Sequence, residues 1–122
     1  MYAVVLFKLG SRPESADVRR EHEVFIEGLI RRNQILLGGP WAPAAGPFRA
    51  AYLLRCASLE EARAITAGDP VFRDHVYEAE IVAWSLVGIN PKAIDAGVVL
   101  SSDQVGDEPT PGSTTPSGHR SS

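Results

Sequence analysis

At 122 residues the chain has room for one compact domain and not for two cores. Its 44% hydrophobic and 22% charged content is that of a globular protein, and a net charge of −3 argues against non-specific nucleic-acid binding, which needs clustered Lys and Arg. Cys56 is the single cysteine, which excludes an intrachain disulfide and zinc-finger metal sites and fits a reducing cytoplasm.

Tyr2 to Leu9 is a continuous apolar run of strand length, ended by Gly10-Ser11-Arg12-Pro13. It lacks a basic start and is too short for a signal peptide, and no stretch approaches the roughly 20 apolar residues that span a bilayer. The expectation is a soluble, cytoplasmic protein without membrane contact. Both alternating faces of this strand are apolar: Tyr2, Val4 and Leu6 on one, Ala3, Val5, Phe7 and Leu9 on the other. A strand apolar on both faces is covered on both.

Ser11 and Asp17 offer competing helix starts, and the helix then runs to about Arg32 with Asn33 as a left-handed C′ residue. Along it Val18, His22, Phe25, Ile26, Leu29 and Ile30 share one stripe, with Arg20, Glu23, Glu27 and Arg31 mostly opposite. His22 therefore faces the core. Gln34 to Leu37 reads as a second strand, broken by Gly38-Gly39-Pro40, and three prolines and three glycines between residues 38 and 47 make the following segment a loop. Arg49 to Cys56 is a third strand. Ser58-Leu59-Glu60-Glu61 is a capping box that starts a short helix ending at Gly68. Asp69-Pro70 breaks the chain, Val71 to Tyr77 forms a short helical turn, and Glu78 to Val87 is a fourth strand, apolar on both faces.

The order βαββαβ places two helices on one face of a four-stranded antiparallel sheet, an α+β fold of the ferredoxin-like kind. The other face keeps apolar residues of the first and last strands, which a homodimer with facing sheets would cover. Asn90 to Ala96 forms one docked helical turn at the end of a domain spanning residues 1–97. Residues 98–122 form a tail; from about Ser101 it offers almost no apolar side chain to offset the entropy of ordering and is expected to be disordered, and His119 falls within it.

His22, the Leu36-Leu37-Gly38-Gly39-Pro40 turn, the Ser58-Leu59-Glu60-Glu61-Ala62 helix start, Asp69-Pro70 and the closing Ile81-Val82-Ala83-Trp84 strand together resemble the YCII-related proteins, over about residues 1 to 88. The resemblance implies a dimeric α+β barrel, related to muconolactone isomerase-like proteins. It also implies an active site around a histidine and an aspartate, matched here by His22 and Asp69. One branch of the family is similar to cofactor-free lyases that remove HCl from chlorinated hydroquinone-type rings. The sequence departs from the family where Arg73-Asp74-His75 replaces a small, glycine-containing stretch, which alters the shape and charge expected of the pocket.

A partly desolvated imidazole with a carboxylate partner can move a proton near neutral pH without metal or nucleotide. His22 is thus a candidate acid–base residue and Asp69 its orienting partner. The plainer alternatives are a satisfied core histidine and an aspartate that opens a turn before proline. Gly39 and Pro40 bring backbone close to a ligand or merely bend a strand. Trp41 and Phe48 line a pocket mouth or anchor the loop. Arg73 and His75 bind an anionic substrate group or sit in a solvated turn, and Tyr77 lends a hydroxyl or packs in the core. No motif of the His-Glu-x-x-His or phosphate-loop kind is present, so neither metal nor cofactor is expected. The leading expectation is a homodimeric, cofactor-independent lyase or isomerase with a cyclic, oxygenated small-molecule substrate. The alternatives are a non-catalytic dimer that binds a small molecule or serves as an accessory protein, and an interaction protein working through its tail.

Overall fold

A computed structural model describes residues 1–95; the expected domain limit at residue 97 and the tail lie outside the described residues. The elements run β1 (Tyr2–Leu9), α1 (Ala16–Arg31), β2 (Ile35–Pro40), β3 (Phe48–Arg55), α2 (Leu59–Ala67), α3 (Pro70–Arg73), β4 (Tyr77–Trp84) and a 3₁₀ turn at Pro91–Ala93. The strands form one antiparallel sheet in the order β2-β3-β1-β4, as the ferredoxin-like expectation requires.

β1 sits centrally, and its two faces meet different surroundings. Ala3, Val5 and Phe7 are buried under the helices with Tyr52 and Leu54 of β3, and Leu29 of α1, Ala62 of α2 and Val71 of α3 close over them. The α1 stripe delivers Val18, Phe25, Ile26 and Leu29 to that core. On the other face Val4 pairs with Leu53 and Val82, and Tyr2 with Trp84.

Helix ends follow local chemistry more closely than the sequence pattern showed. Neither Ser11 nor Asp17 starts α1: Ser15 is the N-cap, and its hydroxyl accepts from the Val18 N–H at 3.1 Å. Asn33 takes the expected left-handed conformation, with φ of 58°. In α2 the Ser58 hydroxyl accepts from Glu61 N–H at 3.1 Å while Glu61 accepts from the Ala57 N–H at 2.8 Å, so the carboxylate reaches back one residue beyond the cap. α3 stops at Arg73, because His75 has φ of 60° and turns the chain into β4 at Tyr77. β4 in turn ends at Trp84, short of the expected Val87.

β2 departs most from expectation. It does not stop at Leu37 but continues through Gly38, Gly39 and Pro40, which pair with Tyr52, Ala51 and Ala50. Proline is tolerated because β2 is an edge strand. Glycine at 38 has a steric cause: a Cβ there would lie 2.5 Å from the Tyr52 Cβ and 2.9 Å from the Ala51 carbonyl oxygen. The neighbouring Gly39 has nothing within 4 Å of such a Cβ. Gly38→Ala is therefore expected to destabilise the fold by about 1–3 kcal/mol through overpacking, and Gly39→Ala to be neutral or stabilising. Urea midpoints of the two variants check the contrast, and equal midpoints would contradict it.

Candidate active site

The chemistry concentrates where α1 crosses α3. α3 is a single turn started by Asp69-Pro70: proline occupies the first helical position, and the Asp69 Oδ1 accepts from the Val71 N–H at 3.2 Å. Both oxygens of the same carboxylate face α1, where His22 Nδ1 lies 2.8 Å from Oδ1 and 2.9 Å from Oδ2. Turn chemistry and histidine binding, posed as alternatives for Asp69, are carried out by one side chain.

Asp69 is 0% exposed, whereas the His22 side chain keeps 21% of its surface open. A buried carboxylate requires hydrogen-bond donors, and an ionised one only accepts. Nδ1 therefore carries the proton in neutral His22 and donates it to Asp69. Nε2 is left with its lone pair and, among the described residues, no hydrogen-bond partner. A carboxylate placed in this way fixes tautomer and ring orientation.

Phe7 anchors the pair to the sheet. Its ring meets His22 at 5.8 Å, Tyr52 at 5.5 Å and Tyr77 at 5.5 Å edge-on, and Phe72 at 4.7 Å in a tilted arrangement. Tyr77 thus shares with His22 a contact to Phe7. Nothing in the sequence pattern distinguishes Tyr52 from the other apolar residues of β3. It is 4% exposed, and burial together with the Asp69 carboxylate pushes its hydroxyl well above the ordinary range of a phenol.

The remaining expected substrate residues lie farther out. Pro40 pairs with Ala50, which pairs with Phe7, so it shares the helix-covered side two strands away, about 10 Å at normal strand spacing. Gly39 pairs with Ala51 and points to the opposite side. Trp41 is 40% exposed, with its N–H donating to the Arg49 carbonyl, and Phe48 is half-buried opposite Lys8. Arg73 is exposed and bonded to Asp74 and to Glu21 at 3.2 Å each; the Asp74 hydrogen bond is the main cause that raises its pKa further. His75 is exposed and pairs with Glu78 at 3.2 Å. Among the described residues no group of three metal-binding side chains converges, and no helix is long and apolar enough to cross a membrane.

The domain model described as "YCII-related domain" matches residues 1–85. Among solved structures, the chain is similar to 5-chloro-2-hydroxyhydroquinone dehydrochlorinase from Burkholderia phenoliruptrix AC1100, in complex with 2,5-dihydroxybenzoquinone. The TM-score is 0.52 at 21% identity, covering 70% of this chain and 94% of that one, a likeness that bears on the fold. No curated protein matches the sequence.

The geometry yields a direct check. At high pH, ¹⁵N shifts of the His22 ring are expected to show Nδ1 protonated and Nε2 bare. Asp69→Asn keeps an acceptor for Val71 but removes the charge, and is expected to shift the tautomer balance towards Nε2–H. An Nε2–H tautomer in the unaltered protein would contradict the assignment.

Proposed function

Because the chain belongs to the YCII-related domain family, we propose that it is a cofactor-independent, cytoplasmic lyase or isomerase that transfers a proton on a cyclic, oxygenated small molecule. The observation that carries this reading is the His22–Asp69 pair: a base locked at Nδ1 by a fully buried carboxylate, its ring still partly open. Nε2 removes a proton from a ring carbon, and Asp69 holds the imidazolium that results. In an elimination, the C–H electron pair becomes the new double bond and the leaving group departs with its own pair. In an isomerisation, the pair moves into a neighbouring carbonyl and the proton returns at another carbon. General acid–base catalysis of this kind is typically worth ~10²–10⁴ in rate, enough for an acidified C–H or a good leaving group.

The fold likeness to a dehydrochlorinase supports starting with chlorinated hydroquinones and hydroxyquinones as substrates. Tyr77 is the best placed of the expected substrate contacts, by its position on Phe7, and Pro40, Trp41 and Phe48 are assigned to one wall. Arg73 and His75, engaged with Glu21, Asp74 and Glu78, would meet an anionic substrate group only by exchanging those partners. His22→Ala leaves Asp69 buried with the Val71 N–H as its remaining donor, so His22→Gln, whose amide can donate, is the companion variant. Both are expected to lower turnover at least 100-fold, followed by quinone absorbance or chloride release, with the circular dichroism spectrum of the Gln variant unchanged. Unaltered turnover in the Gln variant would reject His22 as the base and leave the binding-module reading.

The same proposal includes a homodimer joined through the open sheet face. Leu37, Val82 and Trp84 are 54%, 52% and 51% exposed there, beside Val4, Leu6 and Leu53. Single exposed apolar side chains are ordinary, but a contiguous set on a flat sheet is suited to an identical partner. Val82→Glu is expected to halve the mass measured by light scattering while the fold persists. An unaltered protein that is monomeric at micromolar concentration would refute this part.

A further inference from the structure

We propose that the Tyr52 hydroxyl is the donor that binds the substrate oxygen on which negative charge collects when His22 removes the proton. This rests on the reading of His22 as the base and extends it to the substrate: a ring bearing a carbonyl or phenolic oxygen conjugated with the carbon that loses hydrogen.

Tyr52 lies on the helix-covered side of β3, paired with Val5 of β1 and Gly38 of β2. Its ring and that of His22 meet the same Phe7, at 5.5 and 5.8 Å. The close approach of β2 at Gly38, where a Cβ would lie 2.5 Å from the Tyr52 Cβ, holds the ring's origin in place. The hydroxyl is enclosed and, among the described residues, has no hydrogen-bond partner. A phenylalanine would fill the same space without the desolvation cost of an unpaired donor. A buried hydroxyl without a partner in the fold, on a ring that shares Phe7 with that of a positioned base, is suited to a ligand.

Its chemistry fixes which role it takes. Burial and the neighbouring Asp69 carboxylate both oppose ionisation, so Tyr52 stays protonated and donates. His22 and Tyr52 then divide the work as base and neutral donor, with environments that keep their roles apart. In the step itself, the proton passes from carbon to His22 Nε2. The C–H pair forms a carbon–carbon double bond, and the carbonyl π pair moves onto oxygen. That oxyanion accepts the Tyr52 O–H hydrogen bond, and Tyr52 keeps its proton. A donor aimed at developing charge in a site screened from water contributes mainly to the transition state.

The test uses the full chain with 2,5-dihydroxybenzoquinone and a series of substituted phenolates of graded basicity as probes, bound by calorimetry to the unaltered protein and to Tyr52→Phe. The variant is expected to fold with an equal or higher melting temperature, because no bond within the protein is lost, and to bind the quinone at least tenfold more weakly. The loss is also expected to grow with phenolate basicity, a dependence that a packing role would not produce. Equal affinities, a loss independent of basicity, or no binding of any probe to the unaltered protein would overturn the assignment. The reading of His22 fails separately, on retained turnover in His22→Gln, whatever the result at Tyr52.

Discussion

A fully buried carboxylate is the constraint from which the rest of the site follows. Asp69 has no solvent to stabilise its charge, so the fold must supply donors, and it supplies them from two elements: the Val71 N–H of the turn it caps and the imidazole of His22, 47 residues before Asp69 in the chain. The requirement is mutual. Without Asp69, α3 loses its cap and His22 loses the group that fixes its tautomer. Without His22, a charge is left under-bonded in the interior, an arrangement that costs several kcal/mol in typical proteins. The crossing of α1 over α3 is thus held by electrostatics as well as by apolar contact.

The sheet turns that local constraint into a shaped site. Phe7 is at once the end of the buried face of β1 and the common neighbour of His22, Tyr52, Phe72 and Tyr77. Edge-to-face contacts of this kind prescribe ring angles as well as proximity. The rings of His22, Tyr52 and Tyr77, each with a polar atom, are therefore gathered around one apolar centre. α1 and β3 reach Phe7 independently, one from above and one from its own sheet, so the relative placement of His22 and Tyr52 is a property of the core and not of a loop.

What the sequence discloses divides along physical lines. The α1 stripe disclosed that His22 faces inward because helical periodicity is a local, covalently determined property. Asp69 was legible as a partner through the family resemblance, and as a turn opener through its proline. That it does both is visible only once Val71 and His22 are seen on one carboxylate. The sequence pattern ends β2 at Gly38 because glycine and proline are local breakers, whereas the pairing that extends it is supplied by β3 from the other side of a loop. Arg73 and His75 follow Asp69 closely in sequence yet lead away from it, since the left-handed conformation of His75 redirects the chain. Tyr52 carried no signal at all: a tyrosine on the buried face of a strand looks the same whether its hydroxyl is paired or not.

The two faces of the sheet keep apart the two parts of the proposed function. The His22–Asp69 pair and Tyr52 lie between sheet and helices, while Leu37, Val82 and Trp84 lie on the far side. A second subunit laid against that far side is kept from the base by the sheet itself. It would bury apolar area and stiffen β1 without adding a side chain to the proposed reaction, so that each subunit would carry its own base, partner and donor. Association would act on the site through β1, whose Val4 and Leu6 lie on the open face and whose Val5 and Phe7 lie under the helices. Because adjacent residues of one strand serve the two faces, a displacement of the strand at one face carries the side chains of the other with it.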